Sequence, residues 1–447
     1  MDVVRLLFLR ALDLLGSREG AADTKAPRTD WAPIARAAGA PARRLFDEKA
    51  RTFDAPPDTP PAMVFWRDSS GWCPWCKSTW LLLEAMRLPY AMRTLPLAAY
   101  LRPGEQKPAE YLAICPDGKV PSVQFRDERD EGAMSAPLRN AYDIFEELRR
   151  RWPERYPLGD AGRHDRLVGH TGPIAELEGA TFALVFERDG ARERFRAAVG
   201  ALGAILGEDA SGPYSAGKSA TAADLLLLNV LERTAAHVPF FVGPAELDST
   251  PGWSRCAALL AAARGDPPQP GGGAERVDAF ADLAADDDSI NSAFARSFKP
   301  PVRGLGADPR QSTAPPLLRA PESARRDAAA RLAKNHLAVG GFARRSAALP
   351  PVAPGDAGGA LDDALAEAAR ALLRPETTDV AAAAREIARE HGDAAAREAA
   401  AALAALERNV GVPRDMAAQP AGAMRAACAL IASGLDVATT EAAAAGA

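Results

Sequence analysis

Ala62-Met63-Val64-Phe65-Trp66, then Cys73-Pro74-Trp75-Cys76, then Trp80-Leu81-Leu82-Leu83 with Met86 and Leu88: this stretch decides the fold. The first five residues are a short apolar run of strand length, and the third group repeats at helical spacing. A Cys-x-x-Cys pair therefore sits at a strand-to-helix junction. Cys73 falls at the helix N-terminus, where free backbone N–H groups and the helix dipole stabilise a thiolate. Pro74 suits the first helical position, because the N–H it lacks would have no partner there. The thiolate is the reactive form, so this placement makes Cys73 the candidate nucleophile and Cys76, one turn on, the candidate resolving thiol.

Such a junction is the thioredoxin-like redox arrangement. Two other readings compete. A structural zinc site needs two further ligands at compatible spacing. Cys115, Cys256 and Cys428 are isolated, no His-x-x-x-His pair occurs, and His164, His170, His237 and His391 have no spaced partners. No metal is therefore expected. Two inert core cysteines are the other reading, since free cysteine is commonly buried.

Tyr90 to Leu95 reads as the next strand. Lys107-Pro108-Ala109-Glu110-Tyr111-Leu112 then leads into Gly118-Lys119-Val120-Pro121-Ser122-Val123. Further on, Tyr214-Ser215-Ala216-Gly217 precedes Thr221-Ala222-Ala223-Asp224 and the run Leu225 to Leu228. Thr221 with Asp224 is a capping box: the hydroxyl caps an exposed N–H and the carboxylate reaches back. Together these motifs resemble the glutathione transferase superfamily, in its omega-type or dehydroascorbate-reductase-like branch, over roughly residues 62 to 265. An added C-terminal helical extension is similar to those on relatives in plants and algae.

The resemblance implies an α/β thioredoxin-like N-terminal domain followed by an all-α transferase domain. It implies glutathione as co-substrate, Cys73 as the catalytic cysteine, and Lys107 on a glutathione carboxylate. It also implies a cis proline at Pro121 that turns the Val120 backbone toward the tripeptide. The chain departs from the family at the third helix of that domain. Counting back from Trp152-Pro153 puts Asn140-Ala141 where a Glu-Ser pair usually holds the γ-glutamyl end, with Ser135 as a competing cap. Asn140 is the residue left to hydrogen-bond there.

Composition sets the remaining bounds. The chain has 447 residues, 47% of them hydrophobic, which allows several domains. Net charge is −5, so no electrostatic footprint for nucleic acid is visible. Five cysteines without regular spacing do not make a disulfide framework, and a reducing, cytoplasmic setting is expected. Met1 to Leu15 is apolar but carries Asp2, Arg5, Arg10 and Asp13. It is too short and too charged to span a bilayer and reads as a docked amphipathic helix.

The expected domains are an N-terminal extension over 1–61, the thioredoxin-like domain over 62–158, and the helical transferase domain over 159–265. A linker over 266–320 and an Ala-rich helical domain over 321–447 follow. Residues 17 to 61 read as loop with one helix near 43–51. The last domain reads as an all-α bundle with helices near 322–345, 359–374, 378–391, 393–409 and 420–434. Thr377-Thr378 is the expected cap of the third of these and Gly392 its end, with Pro413 and Asp415 at the start of the last. Lys334-Asn335-His336 reads as a solvated face.

The function expected is a glutathione-dependent thiol transferase (thiol-disulfide exchange, deglutathionylation or dehydroascorbate-type reduction) acting on a small-molecule or protein disulfide; the resemblance also implies a homodimer, unless the helical extension covers that surface. The alternatives are a transferase fold kept as a binding scaffold and a glutathione-conjugating transferase.

Overall fold

The computed structural model describes residues 29–445 apart from 57, 99–100, 102–105, 128–132, 210, 266–275, 303–316 and 351–358. The expected docked helix over 1–15 lies outside the described residues. The chain forms two compact units, one spanning 44–309 and the other combining 29–43 with 317–445. The division thus falls at 43/44 and again between 302 and 317.

The first described helix, α1 (Ala32–Ala38), belongs to the second unit. It arises in a stretch read as loop. The sequence signal for it is small, because the helix is short and its burial comes from Trp31, which stacks on His336 at 4.3 Å and donates from Nε1 to Asp362 at 3.1 Å.

The first unit opens with a 3-10 turn, Leu45–Asp47, and strand β1 (Ala50–Arg51), where one helix near 43–51 was expected. The correction has a tertiary cause. Ala50 and Arg51 pair antiparallel with β3 (below), and the Arg51 guanidinium grips Glu84 with bonds of 3.1 and 2.9 Å. Sheet pairing and a bidentate ion pair outweigh a weak local preference.

β2 (Met63–Asp68) then enters α2 (Pro74–Met86), which returns through β3 (Tyr90–Leu95). β2 and β3 are parallel, with Met63 opposite Tyr90 and Asp68 opposite Leu95, a right-sized β-α-β unit. α3 (Ala109–Ile114) leads to β4 (Ser122–Phe125), antiparallel to β2, and β5 (Leu138–Arg139) pairs with β4. The order β1-β3-β2-β4-β5 is a thioredoxin-like mixed sheet with one short added edge strand. β2 buries residues on both faces, which is why it reads as a continuous apolar run and not as an alternation.

The helical layer follows: α4 (Ala141–Arg151), α5 (Ala161–Leu167), α6 (Pro173–Val185), α7 (Ala191–Leu206), α8 (Ala222–His237), α9 (Pro244–Asp248) and α10 (Trp253–Arg264). α8 is the central element and is buried nearly all round. Its N-terminus carries the expected capping box, with Asp224 accepting from Thr221 N at 2.8 Å and Ser215 N at 2.9 Å. One apolar core runs from Leu45 through the sheet and α8 to Leu283, so the sheet and helical layers fold as one unit. Lys77 on α2 and Glu232 on α8 form a buried ion pair of 2.6 Å inside it.

The segment expected to be linker contains α11 (Asp278–Leu283) and α12 (Asp287–Phe298). Phe280 and Leu283 enter the core, and Phe294 packs on His237 at 4.2 Å. Asp286 caps α12 through Ser289 N at 2.9 Å.

The second unit is the Ala-rich bundle: α13 (Glu322–Ser346), α14 (Ala360–Leu373), α15 (Val380–His391), α16 (Asp393–Glu407) and α17 (Ala418–Ala445). Its core is mostly alanine with Leu365, Leu372, Leu403, Ile431 and Leu435. Small side chains let the helices approach closely: a Cβ added at Gly434 on α17 would meet Val380 Cγ1 at 3.0 Å. α17 runs well past the expected end near 434, since nothing in the alanine tail breaks it. Its start is set by neither Pro413 nor Asp415. Asp415 instead accepts from Gly411 N at 2.8 Å in the preceding turn. Asp379, not Thr377 or Thr378, caps α15 through Ala382 N at 2.9 Å, and Gly392 closes it as expected. His336 does not sit on a solvated face: its Nδ1 meets Asp362 at 3.0 Å.

Two stretches, Ala222–Val242 and Ala418–Ala442, are long and apolar enough to cross a membrane by length and composition, and both are mostly buried within their own units.

Candidate active site

Cys73 is the N-cap of α2, with extended backbone (φ −76°, ψ 115°), and Pro74 is the first helical residue. The geometry follows from the sequence: proline cannot donate from its N, so the first free amides lie further on. The Cys76 amide points at Cys73 Sγ at 3.4 Å, and the Cys73 thiol faces the Val120 carbonyl at 3.8 Å. The sulfur thus has one backbone donor and one backbone acceptor beside it. Cys73 is 8% exposed and Cys76 1%. Burial, then the proximity of Cys73, pushes the Cys76 thiol far above its usual range.

Asp68, at the end of β2, is fully buried behind the pair. One carboxylate oxygen accepts from Trp72 N at 2.8 Å and Ser70 N at 3.2 Å, shaping the loop that carries Cys73. Burial raises its pKa against the opposing pull of Arg67. Sequence reading missed Asp68. Only the fold shows that the strand's last residue turns back under the helix N-terminus.

Beside the cysteine lies a cleft of about 680 Å³. Val120 and Pro121 line it, joined by a cis peptide bond, together with Asn140, Trp75, Tyr142 and Glu178. Of the residues singled out from sequence, the structure thus brings Cys73, Val120, Pro121 and Asn140 to one place. Asn140 is the N-cap of α4: its side-chain oxygen accepts from Tyr142 N at 2.9 Å. Ser135 is no cap. Its hydroxyl accepts from Phe125 N at 3.0 Å at the hairpin of β4 and β5.

Lys107 does not reach the cleft wall. Its Nζ donates to the Gly118 carbonyl, and it is half-buried, which lowers its pKa although Cys76 and Cys73 act the other way. The cations on the wall are Lys119 and Arg139, the latter paired with Asp117 at 3.2 Å. Neither was singled out from sequence, because no spacing rule distinguishes a cleft cation from a surface one.

Tyr142, 5% exposed, has a hydroxyl with no hydrogen-bond partner, and its ring lies 5.7 Å from Trp75 and 5.2 Å from His170. Glu178 on α6 is partly buried, and burial lifts its carboxyl to about 7 against the pull of Arg233. Arg233 on α8 donates to the Trp72 carbonyl, one residue before Cys73.

Residues 72–150 match the family described as glutathione S-transferase, N-terminal domain. No curated protein matches the chain. Among solved structures, a trimeric glutathione transferase from Leishmania is 19% identical, over 46% of this chain and 44% of its own, with a TM-score of 0.36. The match thus spans less than half the length of that protein. Glutathione transferase Omega 1C from Trametes versicolor is 15% identical, over 54% of this chain and 98% of its own, with a TM-score of 0.39. A dehydroascorbate reductase from Chlamydomonas reinhardtii is 18% identical, over 45% and 96%, with a TM-score of 0.32. Residues 72–150, which carry the cysteine at the head of α2 and the cis Val120-Pro121 turn facing it, are thus similar to the glutathione S-transferase N-terminal domain.

Proposed function

We propose that the protein is a glutathione-dependent thiol transferase that works through one cysteine, Cys73. The observation that carries this reading is the placement of the Cys73 sulfur, between the Cys76 amide and the Val120 carbonyl, beside a cleft of about 680 Å³. That volume suits a small-molecule site.

The Cys73 thiolate attacks the glutathione sulfur of a mixed disulfide R–S–S–G. The old S–S bond breaks, R–S⁻ leaves, and a Cys73–S–S–G bond forms. A second glutathione then attacks the glutathione sulfur of the enzyme-bound disulfide. Oxidised glutathione leaves and the Cys73 thiolate is restored. The net reaction is R–S–S–G plus glutathione giving R–SH plus glutathione disulfide.

Glutathione lies along Val120-Pro121, whose backbone pairs with the tripeptide as a strand would, with Asn140 at its polar end. Lys119 and Arg139 on the wall serve its carboxylates, while Lys107 braces the Gly118 turn. Cys76 supports the helix start and does not resolve the disulfide, because its buried thiol resists ionisation.

Reduction of a glutathionylated peptide by glutathione tests this with wild type, Cys73→Ser and Cys76→Ser. The expected result is loss of all enzymatic rate in Cys73→Ser and retention of most of it in Cys76→Ser. Equal loss in both would establish a dithiol mechanism instead. Inactive wild-type protein that also fails to bind immobilised glutathione would move the assignment to a scaffold. The capping role that occupies the Asn140 side chain favours that second reading.

A further inference from the structure

The thiol-transfer reaction leaves a chemical requirement that Cys73 does not meet. The departing thiolate R–S⁻ of an ordinary cysteine is basic, and its exit is faster when a proton is delivered to it. The cleft that Val120 lines is also lined by Tyr142 and Glu178, two polar groups without another task. The Tyr142 hydroxyl is buried and unpartnered. The Glu178 carboxyl has no hydrogen bond or ion pair among the described residues, although Arg233 is close enough to act on it. The Glu178 charge also acts on the Tyr142 hydroxyl. Both line the cleft whose near wall is Val120, the residue that the Cys73 thiol faces.

We infer that Glu178 is the proton donor to the departing thiolate and that the Tyr142 hydroxyl hydrogen-bonds the same sulfur; the inference rests on the thiol-transfer reading. In the first half-reaction the Glu178 carboxyl gives its proton to R–S⁻, and R–SH leaves with Glu178 ionised. In the second, the thiol proton of the incoming glutathione passes to the Glu178 carboxylate as the sulfur attacks. The cycle ends with Glu178 protonated and Cys73 anionic, so no proton or electron is left over.

The surroundings suit the role. A carboxyl lifted to about 7 is half protonated at neutral pH, where a shuttle works in both directions. Besides burial, Arg233 from α8 bears on it, and Glu178 in turn bears on Tyr142 from α4. The exposed His170–Asp143 pair, 2.9 Å long, sits at the rim of the cleft. Arg194 from α7 is engaged with Glu176 at 2.6 Å on the same helix as Glu178. Lys119 and the Arg139–Asp117 pair also line the cleft.

The test varies the leaving group. Two disulfides are used, a glutathionylated cysteine peptide and the mixed disulfide of glutathione with thionitrobenzoate, whose aromatic thiolate is a weak base that needs no proton to leave. Glu178→Gln is expected to lower kcat/KM for the peptide on the order of a hundredfold at pH 7, the low end of general-acid catalysis. It is expected to leave kcat/KM for the aromatic disulfide, which reports the first half-reaction alone, nearly unchanged. Wild type is expected to lose peptide kcat/KM as pH rises through 7, and Glu178→Gln should remove that fall. Tyr142→Phe should show the same selectivity in weaker form, and it tests the arrangement if Glu178→Gln does not fold. Equal losses on both disulfides, or an unchanged pH profile in an active Glu178→Gln, would overturn the inference while leaving thiol transfer by Cys73 standing. Wild type inactive on both disulfides would overturn the thiol-transfer reading and this inference with it.

Discussion

At the scale of single residues, the sulfurs of this chain differ by where the fold puts them. Cys73 has an amide at 3.4 Å and a cleft beside it. Burial pushes the Cys256 and Cys428 thiols up to about 12, and burial with the proximity of Cys73 raises the Cys76 thiol well above its ordinary value. In the native protein a small alkylating reagent at pH 7.5 is therefore expected to modify Cys73 first. Cys76, Cys256 and Cys428 should react only when the protein is unfolded, since the thiolate is the reacting species. Peptide mapping after brief exposure to iodoacetamide checks this; prior labelling of Cys256 or Cys428 would contradict it. Much of the site is legible in the sequence at this scale. Cys73, Val120, Pro121 and Asn140 carry local signals: a helix cap, a Val-Pro pair, and a fixed distance back from Trp152. Glu178, Tyr142 and Asp68 carry none. They come from three different elements, and only chain packing tells a buried carboxylate from a solvated one.

At the scale of elements, the start of α8 shows how a local motif becomes a structural one. Asp224 accepts from Thr221 N and Oγ1 at 2.8 Å and from Ser215 N and Oγ at 2.9 Å, all of it buried. A capping box on an exposed helix contributes about 1 kcal/mol. Here removal of the carboxylate also strands buried donors, each costing about 1–3 kcal/mol. Asp224→Ala is expected to lower stability by about 2–4 kcal/mol and Asp224→Asn by less. The measurement is the urea midpoint, with an unchanged slope to show that the unfolding surface is the same. The Thr221-x-x-Asp224 pair was readable from sequence, but its link to Ser215 was not. The same contrast holds for β1, whose two residues carry no strand pattern and exist as a strand because β3 offers an edge and Glu84 binds Arg51.

At the scale of the molecule, the unit spanning 44–309 carries two buried, neutral histidines. Both ring nitrogens of His164 lack partners, and its ring packs edge-on to Tyr156 at 5.6 Å. Burial lowers its pKa from 6.5 to about 4, and that of His237 to about 3. The sign is set by linkage. Between pH 6.5 and 4 the unfolded chain binds a proton at His164 that the folded chain refuses. The unfolded state then holds more protons, and stability falls as pH falls through that window. For His164 the effect reaches up to about 2–3 kcal/mol by pH 4. Thermal unfolding followed between pH 7 and 4 should show the decline, and His164→Phe should flatten it. A variant with the wild-type slope would show that the proton is taken up elsewhere.

The sequence by itself determined the β-α-β core around Cys73, the capped central helix and the helical nature of the C-terminal region. Each of these rests on periodicity, capping or a short motif, and such forces act within a few residues of chain. Tertiary structure alone decided that residues 29–43 fold with 317–445, that α11 and α12 join the first unit, and that Glu178 and Tyr142 face the cysteine cleft. These depend on which distant surfaces exclude water together. Burial of that kind sets whether a carboxyl is protonated or a thiol inert, and no local pattern of residues encodes it.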